Sequence, residues 1–250
     1  MGKFLKTNIL DVPIDVVTRE EALNKLLQYL KNDSKSNHLL ITPNPEMVMR
    51  ARKDAEFMEI IKKADLVVPD GIGVVMASKL NKEKIKERVA GCDLIFSLFE
   101  SDKRDELTCY IVGGKPGVAE IAKKNIEARY TGVKVVGLHD GYFDDEKEKK
   151  ILEEIKNLKP KLLLVGLGFP RQEKWIYKHK KNLPVCMSAG VGGSIDVMAG
   201  VVKRAPEIYR KLGLEWFYRL MCQPQRIFRM MILPVFVLHV LLYKLLRRGN

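Results

Sequence analysis

The chain predicts an α/β protein, a mainly parallel sheet with helices on both faces, followed by a basic amphipathic helical appendage. Three observations carry that prediction. Short apolar runs alternate with stretches of helical periodicity. Most of those runs end in glycine-rich turns that lead into a helix, which puts the turns at one edge of the sheet, outside the carboxyl ends of the strands. After about Gly200 the character changes, with ten Lys/Arg against only Glu207 and Glu215, a Trp216-Phe217-Tyr218 cluster and an apolar run from Met230 to Tyr243. The expected division is a core over residues 1–200 and an appendage over 201–250.

Taken in order, Ile9 to Val17 holds two short apolar runs around Pro13 and predicts a strand or hairpin at a sheet edge. Thr18 and Glu21 form a capping box, and Ala22, Leu23, Leu26, Leu27 and Leu30 follow at helical spacing. His38 to Thr42 is a short strand, stopped by Pro43 and Pro45, which cannot join a ladder. Glu46 to Lys63 reads as one helix. Leu66 to Val68 ends a buried strand, Pro69-Asp70-Gly71 is a turn, and Ile72 to Leu80 starts a helix. Glu83 to Arg104 reads as helical, with Arg88 near its start. Strands follow at Leu107–Val112, Val133–Leu138, Leu162–Val165 and Val185–Ser188, separated by helices over Val118–Tyr130 and Asp144–Leu158 and one containing Trp175.

The chain of 250 residues, 46% hydrophobic and 30% charged, is long enough for a sizeable core. Its formal net charge of +13 calls for an anionic partner: nucleic acid, anionic lipid or a phosphorylated substrate. No nucleic-acid motif supports the first. Cys92, Cys109, Cys186 and Cys222 lie far apart with no CxxC pair, as reduced thiols of a cytosolic protein do. The N-terminal residues carry neither a signal-peptide apolar region nor a myristoylation pattern. The Met230–Tyr243 run has 14 residues, roughly 21 Å as a helix, against a hydrocarbon core of ~30 Å. With its aromatic and basic neighbours it reads as an interfacial segment on a membrane surface. Packing on the body, or a dimer seam including Ile208, Leu212 and Leu214, is the other reading.

The glycine turns are the candidate ligand cleft. Gly113-Gly114-Lys115-Pro116-Gly117 could meet a phosphate but is no Walker motif. Gly71-Ile72-Gly73, Gly166-Leu167-Gly168 and Gly190-Val191-Gly192 lack the third glycine of a dinucleotide fingerprint. The expectation is no metal and no cofactor: the four His are scattered, and neither HExxH nor a DxD pair occurs. Asp144-Asp145-Glu146 reads as a helix start. Asp70 reads two ways, as a helix cap, the commoner role for an Asp in such a turn, or as a catalytic carboxylate. Asn44 is a cap or a sugar ligand, Thr42 a sugar ligand, Gln172 a surface residue or a cleft residue, and Arg88 a phosphate ligand or one charge among many. Arg219, Arg226 and Arg229 are candidates for a second phosphate site or a solvated basic stripe, and Pro224 interrupts their helix.

Together, Thr42-Pro43-Asn44-Pro45-Glu46, Pro69-Asp70-Gly71-Ile72-Gly73, Arg88-Val89-Ala90-Gly91, the stretch from Gly166 to Trp175, Gly192-Gly193 with Asp196, and Gly213-Leu214-Glu215-Trp216-Phe217-Tyr218-Arg219-Leu220 with Arg226 and Arg229 resemble the WecG/TagA/CpsF family, glycosyltransferase family 26. The resemblance covers nearly the whole chain and leans to the wall teichoic acid members. It implies the Rossmann-like arrangement called GT-E and a membrane-docking appendage. It also implies an inverting, metal-independent transfer of N-acetylmannosamine from its UDP form to undecaprenyl-diphosphate-N-acetylglucosamine with a β-1,4 linkage, at the inner face of the cell membrane. Other UDP-hexoses, such as N-acetylmannosaminuronic acid, are the alternative donors, and a nucleotide enzyme without a lipid acceptor is the alternative activity. On this resemblance Asp70 is the catalytic base. Thr42, Asn44, Arg88, Gly113, Asp140, Gly141, Gly168, Gln172, Gly192 and Asp196 line the donor site, and Arg219, Arg226 and Arg229 take the lipid diphosphate.

Overall fold

The computed structural model describes the backbone of residues 4–31, 36–222 and 224–248; the side chains at 211, 219, 226, 228, 229, 247 and 248 lie outside the described part. The chain opens with a hairpin, β1 (Lys6–Ile9) and β2 (Val12–Asp15), whose two-residue loop Leu10-Asp11 has both φ angles positive, 51° and 68°. Neither residue is glycine, so the turn carries strain, and the burial of Leu10 helps hold it. The hairpin forms its own two-stranded sheet.

Helix α1 (Arg19–Lys31) begins with the expected capping box: the Thr18 amide donates to Glu21 and the Glu21 amide to the Thr18 hydroxyl. Strand β3 (His38–Ile41) follows, then α2 (Pro45–Ala51) and α3 (Ala55–Lys62). The single helix expected over Glu46–Lys63 is thus two. Asp54 breaks it, because its carboxylate accepts from the Phe57 amide at 3.0 Å and starts a new helix. Strand β4 (Leu66–Val67) leads to α4 (Ile72–Ser78). The helix expected from Glu83 is only α5 (Gly91–Glu100), so Arg88 lies in the segment before it, tied down by Val89 N–H donating to Pro69 O at 2.8 Å.

The remaining elements alternate: β5 (Leu107–Gly113), α6 (Val118–Arg129), β6 (Val133–His139), α7 (Asp145–Leu158), β7 (Leu162–Gly166), α8 (Arg171–His179), β8 (Met187–Gly190) and α9 (Ser194–Met198). Asp144 caps α7 through the Lys147 amide at 2.9 Å, as expected of a helix start. The last strand starts two residues later than expected, since the Cys186 and Met187 amides both donate to the Lys161 carbonyl at its entry.

Six parallel strands form one sheet in the order β4-β3-β8-β7-β5-β6. Alternate residues feed two cores, one on each face. Leu40, Cys109, Ile111, Leu162 and Leu164 pack under α1, α5, α6 and α9. Leu39, Ile41, Tyr110, Val112, Leu163 and Val165 pack under the helices of the opposite face, among them α2, α3, α7 and α8. That two-sided burial is why the strands read as continuous apolar runs. At the β4 edge the buried carboxylate of Asp15, on the hairpin, accepts the Val67 amide at 2.8 Å and covers it.

Beyond Gly200 come α10 (Glu207–Lys211), α11 (Glu215–Cys222), a 3₁₀ turn over Pro224–Arg226, α12 (Ile227–Met230) and α13 (Ile232–Arg248). Pro224 stands where α11 has ended, whereas Pro234 sits in the first turn of α13, where no intrahelical N–H is lost. Helix α13 packs on α2 and α4, with Phe236 buried at 1% exposure. Its 17 residues span roughly 25 Å. Among the described residues no helix is long and apolar enough to cross a membrane.

Candidate active site

Three backbone contacts assemble the first wall of the site at the carboxyl ends of β3 and β4. Val68 N–H donates to Ile41 O at 2.9 Å, Asp70 N–H to Pro43 O at 3.0 Å, and Val89 N–H to Pro69 O at 2.8 Å. They lace the turns carrying Thr42, Asn44, Asp70 and Arg88 into one cluster. Asn44 Oδ1 accepts the Met47 amide at 2.9 Å, so Asn44 does cap α2, with Pro45 at the position where a missing N–H costs nothing. Gly91, the first residue of α5, has no room for a side chain: a Cβ there would lie 2.8 Å from Thr42 Cγ2.

The N-cap of α4 is Gly71, at φ 88° and without a side-chain cap, so Asp70 stands one residue before the cap. Its Oδ1 lies 3.5 Å from Arg88 Nε, a charge contact longer than a good hydrogen bond. Arg88 Nη2 lies 2.5 Å from Glu215 Oε2, at the start of α11. Burial works against the Arg88 charge, but Asp70 and then Glu215 outweigh it and hold the guanidinium above the usual arginine range. One cation therefore sits between two half-buried carboxylates, one from the sheet edge and one from the C-terminal segment.

The second wall lies at the ends of β7 and β8. Gln172 is not a surface residue: it is buried, at 4% exposure. Its Oε1 accepts the Gly192 amide at 3.1 Å and its Nε2 donates to Glu173 at 2.8 Å, so it fixes the Gly190–Gly192 turn. Glu173 is more deeply buried still, and burial pushes its carboxyl up to about 7, against the lowering effect of Gln172 and its own backbone. Both side chains fill the space beside Gly190, where a Cβ would meet Gln172 Nε2 and Glu173 Oε1 at 2.7 Å. Helical spacing places Gln172 with Trp175 and Ile176 on the inner face of α8, a signal that it would be buried.

The third wall is glycine. A Cβ on Gly113 would fall 2.5 Å from Gly166 O, and one on Gly166 would fall 2.9 Å from Gly192 O, so the ends of β5, β7 and β8 approach backbone to backbone. Gly141 N–H donates to Gly114 O at 2.9 Å, and Asp140 turns the chain by accepting the Tyr142 amide at 2.7 Å. Gly168, at φ 75°, faces open space, and Asp196 lies in the first turn of α9 beside Gly193. In strand order the candidates form a row: Asp70 after β4, Thr42 and Asn44 after β3, Gly192 after β8, Gly168 after β7, Gly113 in β5, Asp140 and Gly141 after β6. Five strand spacings, about 24 Å, separate its ends. Arg88 joins Asp70 directly, whereas Asp140 belongs to the opposite end.

The C-terminal segment reaches the first wall by several contacts. Besides Glu215 on Arg88, Arg204 pairs with Asp93 of α5 and stacks 5.3 Å over Phe96, and Gly213 lies against Ile72. Arg219 and Arg229 fall on α11 and α12 and Arg226 in the 3₁₀ turn between them; their side chains lie outside the described residues. Helix α13 leaves Val237, Leu238, Leu241, Leu242, Leu245 and Leu246 exposed. The sequence reading of the tail as either packed or interfacial therefore divides by face: one face of α13 packs and another does not. Among the described residues no three His, Cys, Asp or Glu side chains gather as metal ligands. Glu173 and Glu215 are the two site-wall residues that sequence reasoning passed over.

The profile of the glycosyl transferase WecG/TagA/CpsF family matches residues 7–250. The N-acetylglucosaminyldiphosphoundecaprenol N-acetyl-beta-D-mannosaminyltransferase of Bacillus subtilis (strain 168) is 35% identical over 222 residues, 88% of this chain and 86% of its own. The enzyme of the same name from Staphylococcus aureus (strain NCTC 8325 / PS 47) is 35% identical over 232 residues, 93% of this chain and 91% of its own.

Proposed function

The chain belongs to the WecG/TagA/CpsF family of glycosyltransferases, and from that premise we propose that it transfers N-acetylmannosamine from UDP-N-acetylmannosamine to undecaprenyl-diphosphate-N-acetylglucosamine. The single observation that carries the mechanism is the Asp70–Arg88 pair at the carboxyl end of β4. An inverting transfer is one in-line displacement at the anomeric carbon. The acceptor 4-hydroxyl oxygen forms the new bond, its proton passes to the Asp70 carboxylate, and the old glycosidic bond leaves with UDP. Such general-base assistance contributes roughly 10²–10⁴-fold. Charge developing on the departing diphosphate is met by the Arg88 guanidinium and by backbone N–H groups of the glycine turns rather than by a metal.

The donor lies along the row of strand ends, its sugar at Thr42, Asn44 and Asp70 and its nucleotide toward Gly168 and Gly113. Gln172 acts there as the brace of the Gly190–Gly192 turn, and Asp140, Gly141 and Asp196 bound the far side. Residues 201–250 form the acceptor-binding appendage. The exposed apolar face of α13 rests on the membrane surface, and Arg219, Arg226 and Arg229 take the lipid diphosphate. Ile208, Leu212 and Leu214, all exposed, support a self-association that the membrane competes with.

The test is a donor panel. Purified protein is given UDP-N-acetylmannosamine, its uronic acid and other UDP-hexoses, with a short-chain lipid-diphosphate-N-acetylglucosamine and EDTA. A β-1,4 disaccharide-lipid from UDP-N-acetylmannosamine alone is the expected product. Preference for another donor, or dependence on added metal, would overturn that part of the proposal.

A further inference from the structure

We infer that Glu173 is a positioning residue for the nucleotide-sugar donor: it fixes which way the side-chain amide of Gln172 faces, and through that amide holds the Gly192 turn in place. The inference rests on the reading of the Gly168 and Gly192 turns as part of the donor site. Gln172 joins both turns from the first turn of α8. Its backbone N–H donates to Gly168 O at 3.0 Å, and its side-chain Oε1 accepts the Gly192 N–H at 3.1 Å. An amide has one end that donates and one that accepts, so it fits such a place in a single orientation. Gly192 presents a donor and calls for the oxygen. Glu173 Oε1, 2.8 Å from Gln172 Nε2, presents an acceptor and calls for the nitrogen. Turned over, the amide would set N–H against N–H at Gly192 and oxygen against oxygen at Glu173.

The surroundings leave this pair little freedom. A Cβ on Gly190 would lie 2.7 Å from both Gln172 Nε2 and Glu173 Oε1, so the hydrogen bond between them runs over the end of β8. Gly192, at φ 48°, has its carbonyl oxygen against Gly166 of β7, where a Cβ would come within 2.9 Å of it. Glu173 is 1% exposed, and among the described residues its second oxygen, Oε2, has no hydrogen-bond partner. A buried carboxyl with an unpaired oxygen costs stability. A side chain that served only to fill this space would do so better without one. Burial pushes the carboxyl up to about 7, yet protonated or ionised it keeps an oxygen that accepts from Nε2. The clamp needs the acceptor and not the charge.

The experiment measures UDP binding by calorimetry for the full chain and its Glu173→Met, Glu173→Gln, Gln172→Met and Glu173→Met/Gln172→Met variants, with a thermal melt of each. Glu173→Met keeps the length of the side chain but removes the acceptor and frees the amide to turn. It should weaken UDP binding about tenfold, the scale of one lost hydrogen bond. The KM of the UDP-sugar should rise by the same factor, and that of the lipid acceptor should stay put. Glu173→Ala is the second truncation, should methionine pack poorly. Glu173→Gln, which keeps an accepting oxygen, should recover most of the lost affinity. Because Glu173 acts through Gln172, the double variant should bind UDP no more weakly than Gln172→Met alone. A double variant weaker by the full Glu173→Met factor would show that Glu173 only supports the fold, and would overturn the inference. So would a truncated Glu173 that lowers the melt yet leaves UDP binding intact, or a Glu173→Gln protein that binds as weakly as Glu173→Met. Wild type that binds no UDP would instead remove the donor-site reading, and the inference with it.

Discussion

Glu173 offers a prediction whose size follows from its surroundings. Its carboxyl is 1% exposed, hydrogen-bonded through one oxygen to Gln172, and pushed up to about 7 by burial. In the unfolded chain the same group ionises near its ordinary value of 4.5. Between those values the native state binds more protons than the unfolded one, so its contribution to stability falls as pH rises and is fully lost above about 7. A displacement of about 2.5 pH units corresponds to roughly 3 kcal/mol. Glu173→Gln cannot ionise, yet it still offers Gln172 an oxygen to donate to. Burying its amide adds a fixed cost that does not vary with pH. The difference in stability, variant minus wild type, should therefore grow by about 3 kcal/mol in the variant's favour between pH 4.5 and 8. Urea melts at four pH values, with unchanged m-values, read it directly. A difference constant across that range would show that Glu173 does not titrate there, and would refute the buried-carboxyl reasoning.

Two further outcomes probe the glycine edge and the tail. Gly113→Ala places a Cβ 2.5 Å from a neighbouring strand's carbonyl oxygen at φ 144°, where no side chain can yield, and should cost about 3 kcal/mol or more in a thermal or urea melt. Gly168→Ala, which meets only open space, should cost just the ~1–2 kcal/mol of its positive φ. Paired Leu241→Glu and Leu245→Glu should leave the melt unchanged, because both side chains are exposed, but weaken co-sedimentation with anionic vesicles at least tenfold.

What could be read from the residues was whatever is local or periodic. The Thr18–Glu21 capping box, the Asn44 and Asp144 caps and the glycine-ended strands are short-range chemistry, and each stands where expected. The parallel sheet follows from apolar runs buried on both faces. The break at Asp54 stayed hidden because apolar spacing continues on both sides of it, and only the cap bond decides. The hairpin turn at Leu10-Asp11 lacks the glycine that usually marks it. Arg88–Glu215 joins residues 127 apart in the chain, which no local pattern can pair. Glu173 lies within the Gly166–Trp175 stretch, yet nothing local marks it as a buried acid: it accepts from Gln172 beside it and fills the space next to Gly190, which is distant in the chain.

The central claim is that Asp70, at the carboxyl end of β4 and in charge contact with Arg88, removes the acceptor proton. Its most direct test is single-turnover transfer from UDP-N-acetylmannosamine to the lipid acceptor by wild type and Asp70→Asn, at saturating donor and matched folding by circular dichroism. The account predicts unchanged UDP binding and a rate lower by about 10²–10⁴-fold in the variant. A transfer rate within a few-fold of wild type would contradict it.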